Sequence, residues 1–587
     1  MSTDSTSHRA STLNPSPPTS IAEKTIPAAS PTSLSELMPQ VAPGHSAEET
    51  AQGDAAATTA ASKRKPFAFW MVFVALCFSC FVSALDLTAV STTLPSMAET
   101  FHSADYSWIG SAYALTSTAF VPWTGGLAAI FGRRPVMLGG LLIFALGSAL
   151  TGAAQSMAMA IAGRSLQGVG GGAILTMVEI VICDLVPLAE RGAYFGIIGG
   201  VWALASAIGP PIGGALASAG AWRWLFYLNL PLCGLAISLV SFFLDVKAPK
   251  TTLREKIDRM DYANVIFVAG VTALVLGLTW GGSTYSWSSF RVLVPLILGI
   301  FGILAFVVLE LRYVAYPTVP FAALKDRTTL VGYVQTFIHS LIMMCIVYYL
   351  PTAYFQAAKG FSPIKSGVAL FSFCFTVAPA AIATGAWVTI TQKYKLQNFV
   401  GWAFVTLGSG LLLLLRSDSP IGLGKGLPAV VGLGLGILYT GTSFAVLAPI
   451  APAEQPPAIA FFGFVRALGQ VFGISIATTV FQNELVKKLP AAFLSSLGGS
   501  ATVAFAAIPQ IKDLPEPLRS TVRAAFADSA RSIWIVCTAV GGAALLMCFL
   551  LEDLKLAVVT DEEWGLRERT KAQAIAPQDK EEQKIGC

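Results

Sequence analysis

Two ionisable residues stand inside long apolar stretches, where charge is costly and therefore marks function. Asp86 lies about nine residues before Pro95, which ends the first apolar run, and Arg164 lies about nine residues after Gln155, which begins the fourth. At a rise of 1.5 Å per residue, both lie roughly 13 Å from the same surface of a bilayer and are able to pair across a central cavity. A carboxylate whose proton affinity depends on a nearby arginine can exchange protons as their distance changes. The alternative is a static ion pair that sets helix register.

Small residues follow the candidate arginine and recur in the fifth apolar run. Gln167 lies one helical turn after Arg164, and the Gly168–Gly172 segment allows another helix to approach closely. In the fifth run, glycines again remove the side-chain barrier between helices, while a proline pair withholds N–H groups and weakens the local hydrogen-bond ladder. The pattern predicts a tightly packed, bendable helix around Gly209, Pro210, Gly213 and Gly214.

Other polar and aromatic residues in apolar runs are candidates for a cargo cavity. His339 lies near mid-depth of the ninth run, as a proton site or as a satisfied contact between helices. Arg466 lies about nine residues into the thirteenth run, where it can face an anionic cargo, snorkel or form a structural pair. Glu179 is a candidate for a proton path or for a cap on the cytoplasmic gate. Trp202 can line an apolar cavity, although aromatic residues in membrane spans more often pack against helices or lipid.

Composition identifies an integral membrane protein. The 587 residues are 54% hydrophobic and 12% charged, with a mean hydropathy of +0.67, whereas soluble domains are about 25% charged. The net charge of +5 is scattered over short loops, so no nucleic-acid partner is expected. The nine cysteines have no disulfide or metal-type spacing, and the sequence lacks a phosphate-cradling Gly-x-x-x-x-Gly-Lys-Ser/Thr loop. We therefore expect no metal, no cofactor and no direct use of ATP.

The apolar runs predict fourteen transmembrane helices at about 20 residues per crossing. Short loops on one side carry most of the Lys and Arg, so both termini are expected in the cytoplasm. The predicted spans are 67–92, 107–131, 135–154, 157–183, 192–218, 224–244, 262–281, 291–311, 329–354, 366–388, 398–415, 427–450, 457–481 and 531–551.

A faint internal repeat divides the spans into six, two and six. The pattern from Gly125 to Arg133 after the second span is repeated from Gly385 to Lys393 after the tenth. The predicted fold is an all-α polytopic membrane protein, with two six-helix bundles around a central cavity and two inserted helices. Its segments are a disordered cytoplasmic tail 1–65, an N-terminal bundle 66–245, a loop and two inserted spans 246–312, a C-terminal bundle 313–551 with a long outer loop 483–530, and a cytoplasmic tail 552–587.

Four motifs in the sequence resemble those of the major facilitator superfamily, and in particular those of its fourteen-span drug:proton antiporters. They are Leu85-Asp86-Leu-Thr88, the segment from Arg164 to Gly172, Gly209-Pro210-x-x-Gly213-Gly214, and the segment from Trp222 to Pro231. The resemblance runs from about Phe67 to Leu551. It implies a major facilitator fold, proton coupling by Asp86, Arg164 and Gln167, and an antiporter motif at Gly209, Pro210, Gly213 and Gly214.

Further details are similar to the fungal branch that exports toxins and other secondary metabolites. One is Leu350-Pro351 with Gln356, and another is the segment from Arg466 to Gln470. The resemblance therefore adds Gln356 and Gln470 to Trp202, His339 and Arg466 as candidates for the cargo cavity.

One departure concerns the loop between the second and third spans. The family's usual acidic residue is Ala129 here, and the following basic or polar residue is Ile130. That acidic residue normally joins a charge network that closes the cytoplasmic side, so its absence affects the conformational equilibrium rather than the fold. Asp184 or Glu190 can take its place beside Arg133 and Arg134. The resemblance thus implies a cytoplasmic gate of Gly125, Gly132, Arg133, Arg134, Asp184, Glu190 and Arg191.

The sequence is interpreted as a secondary transporter, not an enzyme, that exports an apolar or amphipathic small molecule in exchange for protons. An importer or facilitator of a small metabolite or siderophore is the first alternative. A membrane-embedded enzyme would need clustered His and acidic groups, and the chain has four histidines; a transport-like sensor would need a long folded tail. The expected partners are the cargo and the lipid bilayer, the expected state is a monomer, and the membrane is the plasma membrane or alternatively the vacuolar one. No residue identifies the cargo.

Overall fold

Every regular element in the described part of the chain is a helix. The computed structural model describes residues 65–557 except 102–106, 247–251, 253, 255–259, 282–284, 315–318, 320, 322 and 497–507. The predicted tail 1–65 therefore lies outside the described residues except for Lys65, as does most of the tail 552–587. The long helices are α1 (Phe67–Phe101), α2 (Ser107–Phe131), α3 (Arg133–Gly152), α4 (Met157–Leu185), α5 (Leu188–Ser218), α6 (Arg223–Phe243), α7 (Ala263–Trp280), α8 (Phe290–Arg312), α9 (Arg327–Tyr349), α10 (Phe371–Thr391), α11 (Lys395–Leu412), α12 (Ile421–Leu447), α13 (Gln455–Lys488) and α14 (Leu518–Met547).

Helices are the elements that satisfy every backbone group within lipid. Within the described residues, twelve of these helices are long and apolar enough to cross a membrane. The other two are α7, whose apolar part is short, and α11, whose first turn carries Lys395, Gln397 and Asn398. An integral, multi-pass membrane protein is thus established, whereas the count of fourteen spans stays a prediction.

The predicted ends of the last two spans need correction. Helix α13 continues to Lys488 and α14 begins at Leu518, so part of the predicted outer loop 483–530 is helical. The remainder includes short helical segments at Ala491–Ser496 and Ile508–Asp513. Hydropathy ended the thirteenth span too early and began the fourteenth too late, because the helices continue as polar, hydrogen-bonded structure beyond their apolar parts. Helix α9 likewise continues as a π-helical segment, Leu350–Ala358.

The helices pack as two sets of six with the same internal pattern. In the first set, α4 packs against α2 and α3, and α1 packs against α5 and α6. In the second set, α12 packs against α10 and α11, and α9 packs against α13 and α14. Each pair of the second set thus repeats a pair of the first.

Two main seams join the sets, α5 with α10 and α2 with α13. They are equivalent under the same repeat. Helices α7 and α8 form a hairpin in which α7 also packs against α2. The ring of Phe267 on α7 lies 5.2 Å from that of Phe464 on α13. The hairpin therefore covers the α2–α13 seam.

Candidate functional site

Asp86 is held in a buried polar network among α1, α3, α4 and α6. Its Oδ2 accepts a hydrogen bond from Arg164 Nη1 at 2.5 Å. Its Oδ1 accepts from Gln167 Nε2 at 3.0 Å and from Asn229 Nδ2 at 2.7 Å. Both amides also donate to Ser148 Oγ, at 2.5 Å and 3.0 Å. All five residues are buried, so the carboxylate is surrounded by donors and excluded from solvent.

The arginine is fixed as firmly as the carboxylate. Arg164 Nε donates to the carbonyl of Ile109 at 3.1 Å, Nη1 donates to Gln167 Oε1 at 2.8 Å, and the guanidinium lies 4.5 Å from the ring centre of Tyr113. Tyr113 lines a central cavity between the two sets of helices, which is described below, but neither Asp86 nor Arg164 lines it. The prediction of one shared layer agrees with this contact. The prediction that they pair across the cavity is wrong, because both residues belong to the first set of helices.

The glycines of α5 press against the turn of α1 that carries Asp86. A Cβ atom on Gly209 would lie 3.0 Å from the amide nitrogen of Ala89, and one on Gly213 would overlap the Ala89 carbonyl. Thr92 Oγ1 donates to the carbonyl of Pro210 at 3.3 Å, which adds a hydrogen bond between the two helices. Backbone contact between α1 and α5 therefore depends on the absence of side chains at these positions.

The other face of this segment contacts the second set of helices. A Cβ atom on Gly214 would lie 3.3 Å from Ile364, and one on Gly367 would lie 3.3 Å from the ring of Pro210. The predicted antiporter motif thus stands between the Asp86 turn of α1 and the short helix Pro363–Ala369 that precedes α10.

Arg133 and Asp184 form a bidentate ion pair where α3 begins and α4 ends. Nε and Nη2 donate to the two carboxylate oxygens at 2.7 Å and 3.2 Å, and Nη1 donates to the carbonyl of Ala128 at 2.9 Å. Both side chains are buried. Gly132 has φ 92° and ψ 166°, a conformation essentially limited to glycine. The side chain at Ala129 is exposed, so Asp184 is the residue that engages Arg133.

Arg191 connects the first set of helices to the second. Its Nη1 donates to Gln455 Oε1 at 2.9 Å, and Nη2 donates to the carbonyl of Cys183 at 2.9 Å. Nearby, a Cβ atom on Gly125 would lie 2.6 Å from Cβ of Ala460 on α13. The two remaining gate candidates lie at the same ends of the helices. Arg134 donates to the carbonyl of Ser241, and Glu190 lies in the first turn of α5.

A cavity of about 80 Å³ lies between the two sets of helices. Four of the five predicted cavity residues line it, namely Trp202, His339, Arg466 and Gln470. Gln356 does not, because it lies in the π-helical segment after α9 and donates to Ser366 Oγ at 3.0 Å. Ligand pockets are typically about 300–1,000 Å³, so the walls must part before a cargo enters.

An ion pair crosses this cavity wall from one set of helices to the other. Arg466 on α13 donates from Nη1 to Glu179 Oε1 on α4. The guanidinium also lies 4.5 Å from the ring centre of Phe462 and 4.9 Å from that of Tyr439. His339 Nε2 lies 3.0 Å from the carbonyl oxygen of Leu435, which is a contact between α9 and α12.

Sequence reasoning missed two members of the Asp86 network and the partner of Arg466. Asn229 lies in the family motif from Trp222 to Pro231, and an amide inside an apolar run is itself a signal of a buried polar contact. Ser148 gives no signal, since a serine in a membrane helix usually bonds its own backbone. The pairing of Arg466 with Glu179 joins residues far apart in the chain and depends on how the two sets dock.

These features together define a class of protein. Two matching sets of six helices, a cavity between them and buried charge beside that cavity are the features of a two-bundle membrane transporter. The profile of the Major Facilitator Superfamily matches residues 76–474. The chain belongs to the major facilitator superfamily.

Similar proteins include fungal transporters. The MFS-type efflux pump LUC4 of Fusarium sp is 38% identical over 519 residues, covering 87% of this chain and 92% of the relative. The acurin A biosynthesis cluster MFS-type transporter of Aspergillus aculeatus is 36% identical over 521 residues, covering 86% and 93%. The solved structure of the proton:xylose symporter XylE shares the fold, with a TM-score of 0.52 at 12% identity, covering 83% of this chain and 97% of XylE.

Proposed function

We propose that this chain is a proton-coupled antiporter that exports an apolar or amphipathic small molecule, such as a secondary metabolite, toxin, glycolipid or drug. The similarity to the efflux pump LUC4 supports export, and the similarity to the acurin A biosynthesis cluster transporter supports a secondary metabolite as cargo. The energy source is the proton gradient. The observation that carries proton coupling is the fully buried Asp86 carboxylate, which is enclosed by hydrogen-bond donors.

Protonation of Asp86 has direct consequences for its neighbours. It removes the negative charge that holds Arg164 and turns one carboxylate oxygen from an acceptor into a donor. The amides of Gln167 and Asn229 then lose a charged acceptor. Because Asp86 lies on the turn of α1 that contacts Gly209 and Gly213, rearrangement there moves the α1–α5 contact. Proton binding is thereby linked to the position of α5, which forms one of the two seams.

The proposal includes a membrane arrangement. The chain crosses the plasma membrane fourteen times as a monomer, with both termini in the cytoplasm. Helices α7 and α11 have 18 residues each, which at 1.5 Å per residue span about 27 Å, close to the bilayer core. In this orientation the Arg133–Asp184 pair and the Arg191–Gln455 contact lie on the cytoplasmic side.

The test uses the full-length protein in proteoliposomes with an imposed proton gradient. Ethidium, Nile red and naphthalene carboxylate serve as cationic, uncharged and anionic probes. We expect gradient-driven accumulation of at least one probe. We expect Asp86→Asn to lose this accumulation while retaining probe exchange, because the amide keeps the shape but cannot titrate. Asp418→Asn, which changes an exposed acid, is the matched control and keeps both activities.

Two outcomes would contradict the proposal. One is the absence of gradient-driven movement for all three probes, and the other is full gradient-driven accumulation by Asp86→Asn. A purely structural pair makes a different prediction, because replacing both Asp86 and Arg164 with apolar residues of similar volume then restores a folded, fully coupled protein. We expect that double variant to remain uncoupled.

A further inference from the structure

The Glu179–Arg466 pair separates two cavities. Both residues line the central cavity, and both also line a second void of about 10 Å³. The second void is bordered by Phe195, Ser443 and Ile459, which lie near the ends of α5, α12 and α13 on the side of the Arg191–Gln455 contact. Under the proposed orientation, the ion pair is therefore part of a partition between the cavity and its cytoplasmic approach, to which Ile198 and Tyr439 also belong.

The two partners are not equally available to a ligand. The Arg466 side chain is 17% exposed and lies in the cavity wall. The Glu179 side chain is 11% exposed, and its Oε2 atom is buried without a hydrogen-bond partner. A ligand in the cavity thus contacts the Arg466 side chain, whereas the second carboxylate oxygen of Glu179 is buried.

The arginine also has support that does not depend on the glutamate. The rings of Phe462 and Tyr439 lie on the same side of the interface as Arg466, and both attract its cation. Arg466 consequently keeps its position when Glu179 moves away with the first set of helices. Among the lining residues of the central cavity in the described chain, Glu179 and Arg466 are the charged ones, so Arg466 is the site at which a buried anion would be compensated.

We propose that Arg466 binds an acidic group of the cargo, such as a carboxylate beside an aromatic or apolar body, and that this group displaces Glu179 and opens the partition. The inference rests on the proposed export function and names its substrate class. A planar guanidinium matches a carboxylate in paired hydrogen bonds, and the aromatic wall suits an apolar body. Competition between cargo and Glu179 couples cargo binding to separation of the two sets of helices.

The binding test uses the full-length protein in lipid nanodiscs and three ligands with one ring system. These are naphthalene carboxylate, the uncharged naphthalene carboxamide and the cationic naphthylmethylammonium. We expect the carboxylate to bind at least about tenfold more tightly than the carboxamide, as for a charge-assisted hydrogen bond. Isothermal titration calorimetry measures the affinities. Tighter binding of the cation, or equal or undetectable binding of all three ligands, would overturn the proposal.

Variants then assign the preference to a residue. Arg466→Gln should abolish the carboxylate preference while leaving carboxamide affinity unchanged, which also shows that the cavity is intact. Arg466→Lys should retain part of the preference. Glu179→Gln should strengthen carboxylate binding several-fold, because it removes the charged competitor. Arg291→Gln, which changes an exposed arginine on α8, is the control and should bind as the natural protein does. An unchanged preference in Arg466→Gln would refute the assignment.

A negative result in the binding test is distinguishable from a negative result in the transport test of the proposed function. Proton-driven accumulation of any probe that is lost in Asp86→Asn supports the antiporter even when no acid preference exists. Conversely, acid-selective binding without gradient-driven movement leaves Arg466 as an anion site and overturns the antiporter.

Discussion

The seam between α5 and α10 offers the most direct test of the structure. A Cβ atom on Gly192 would lie 2.5 Å from the carbonyl oxygen of Gly385. Ordinary van der Waals contact begins at 3.4 Å, so Gly192→Ala requires the two backbones to separate by about 0.9 Å. Overpacking of this kind costs about 1–3 kcal/mol, which corresponds to a population shift of about 5- to 150-fold. We therefore expect Gly192→Ala to depopulate the state in which this seam is closed.

Gly200 on the same helix provides a matched control. A Cβ atom there would lie 3.2 Å from Cδ1 of Ile382, the flexible end of a side chain that can move aside. Both alanine variants gain about 1 kcal/mol of helix propensity, so the difference between them isolates the backbone contact. Two measurements report the population of the closed state. One is transport, in proteoliposomes, of whichever of the three probes the natural protein accumulates, and the other is cysteine accessibility on the Gly192 side of the membrane. Equal transport and labelling in Gly192→Ala and Gly200→Ala would refute this account of the seam.

Further predictions concern the network at the start of α3. Asp184→Asn removes the buried carboxylate that accepts two hydrogen bonds from Arg133, and it should lower the free energy of unfolding by about 3–5 kcal/mol, measured by thermal denaturation in nanodiscs. Ala129→Asp should change the free energy of unfolding by less than about 0.5 kcal/mol, because the side chain is exposed and Arg133 is already paired with Asp184. A large stabilisation would show that Asp184 alone does not satisfy the charge of Arg133. Gly132→Ala should cost about 1–3 kcal/mol because of its φ of 92°, whereas Gly139→Ala, whose added Cβ meets nothing within 4 Å, should be neutral or stabilising.

Sequence reasoning succeeded where a property depends on position along one helix. Residue counting placed Asp86 and Arg164 at one depth, and the structure brings their side chains together. The small-residue pattern of α5 likewise predicted a close helix contact, because absent side chains leave few other packing solutions. The family was identified from motifs of this local kind.

It failed where a property depends on how helices dock. Depth alone does not say which way a side chain points, so the sequence wrongly predicted that Asp86 and Arg164 pair across the cavity and that Gln356 lines its wall. The partner of Arg466 is on another helix set, and spacing within one helix cannot reveal it. Helix ends were also misplaced, since hydropathy follows the lipid boundary whereas hydrogen bonding continues α13 to Lys488.

The internal repeat proved more informative than its length suggested. Gly125 and Gly385, the two glycines that define it, lie at the two equivalent seams, against Ala460 and Gly192 respectively. The short pattern therefore marks the places where the two sets of helices meet.

Those two seams are equivalent in pattern but differ in what packs against them. At α5–α10 the backbones are in direct contact at Gly192 and Gly385. At α2–α13 the ring of Phe267 on α7 packs against Phe464 on α13. Opening of this seam must therefore also break contacts with the inserted hairpin. The matching halves thus meet along two seams whose opening has different requirements: opening α2–α13 also breaks the contacts of α7, whereas the main contacts of the hairpin lie away from α5–α10.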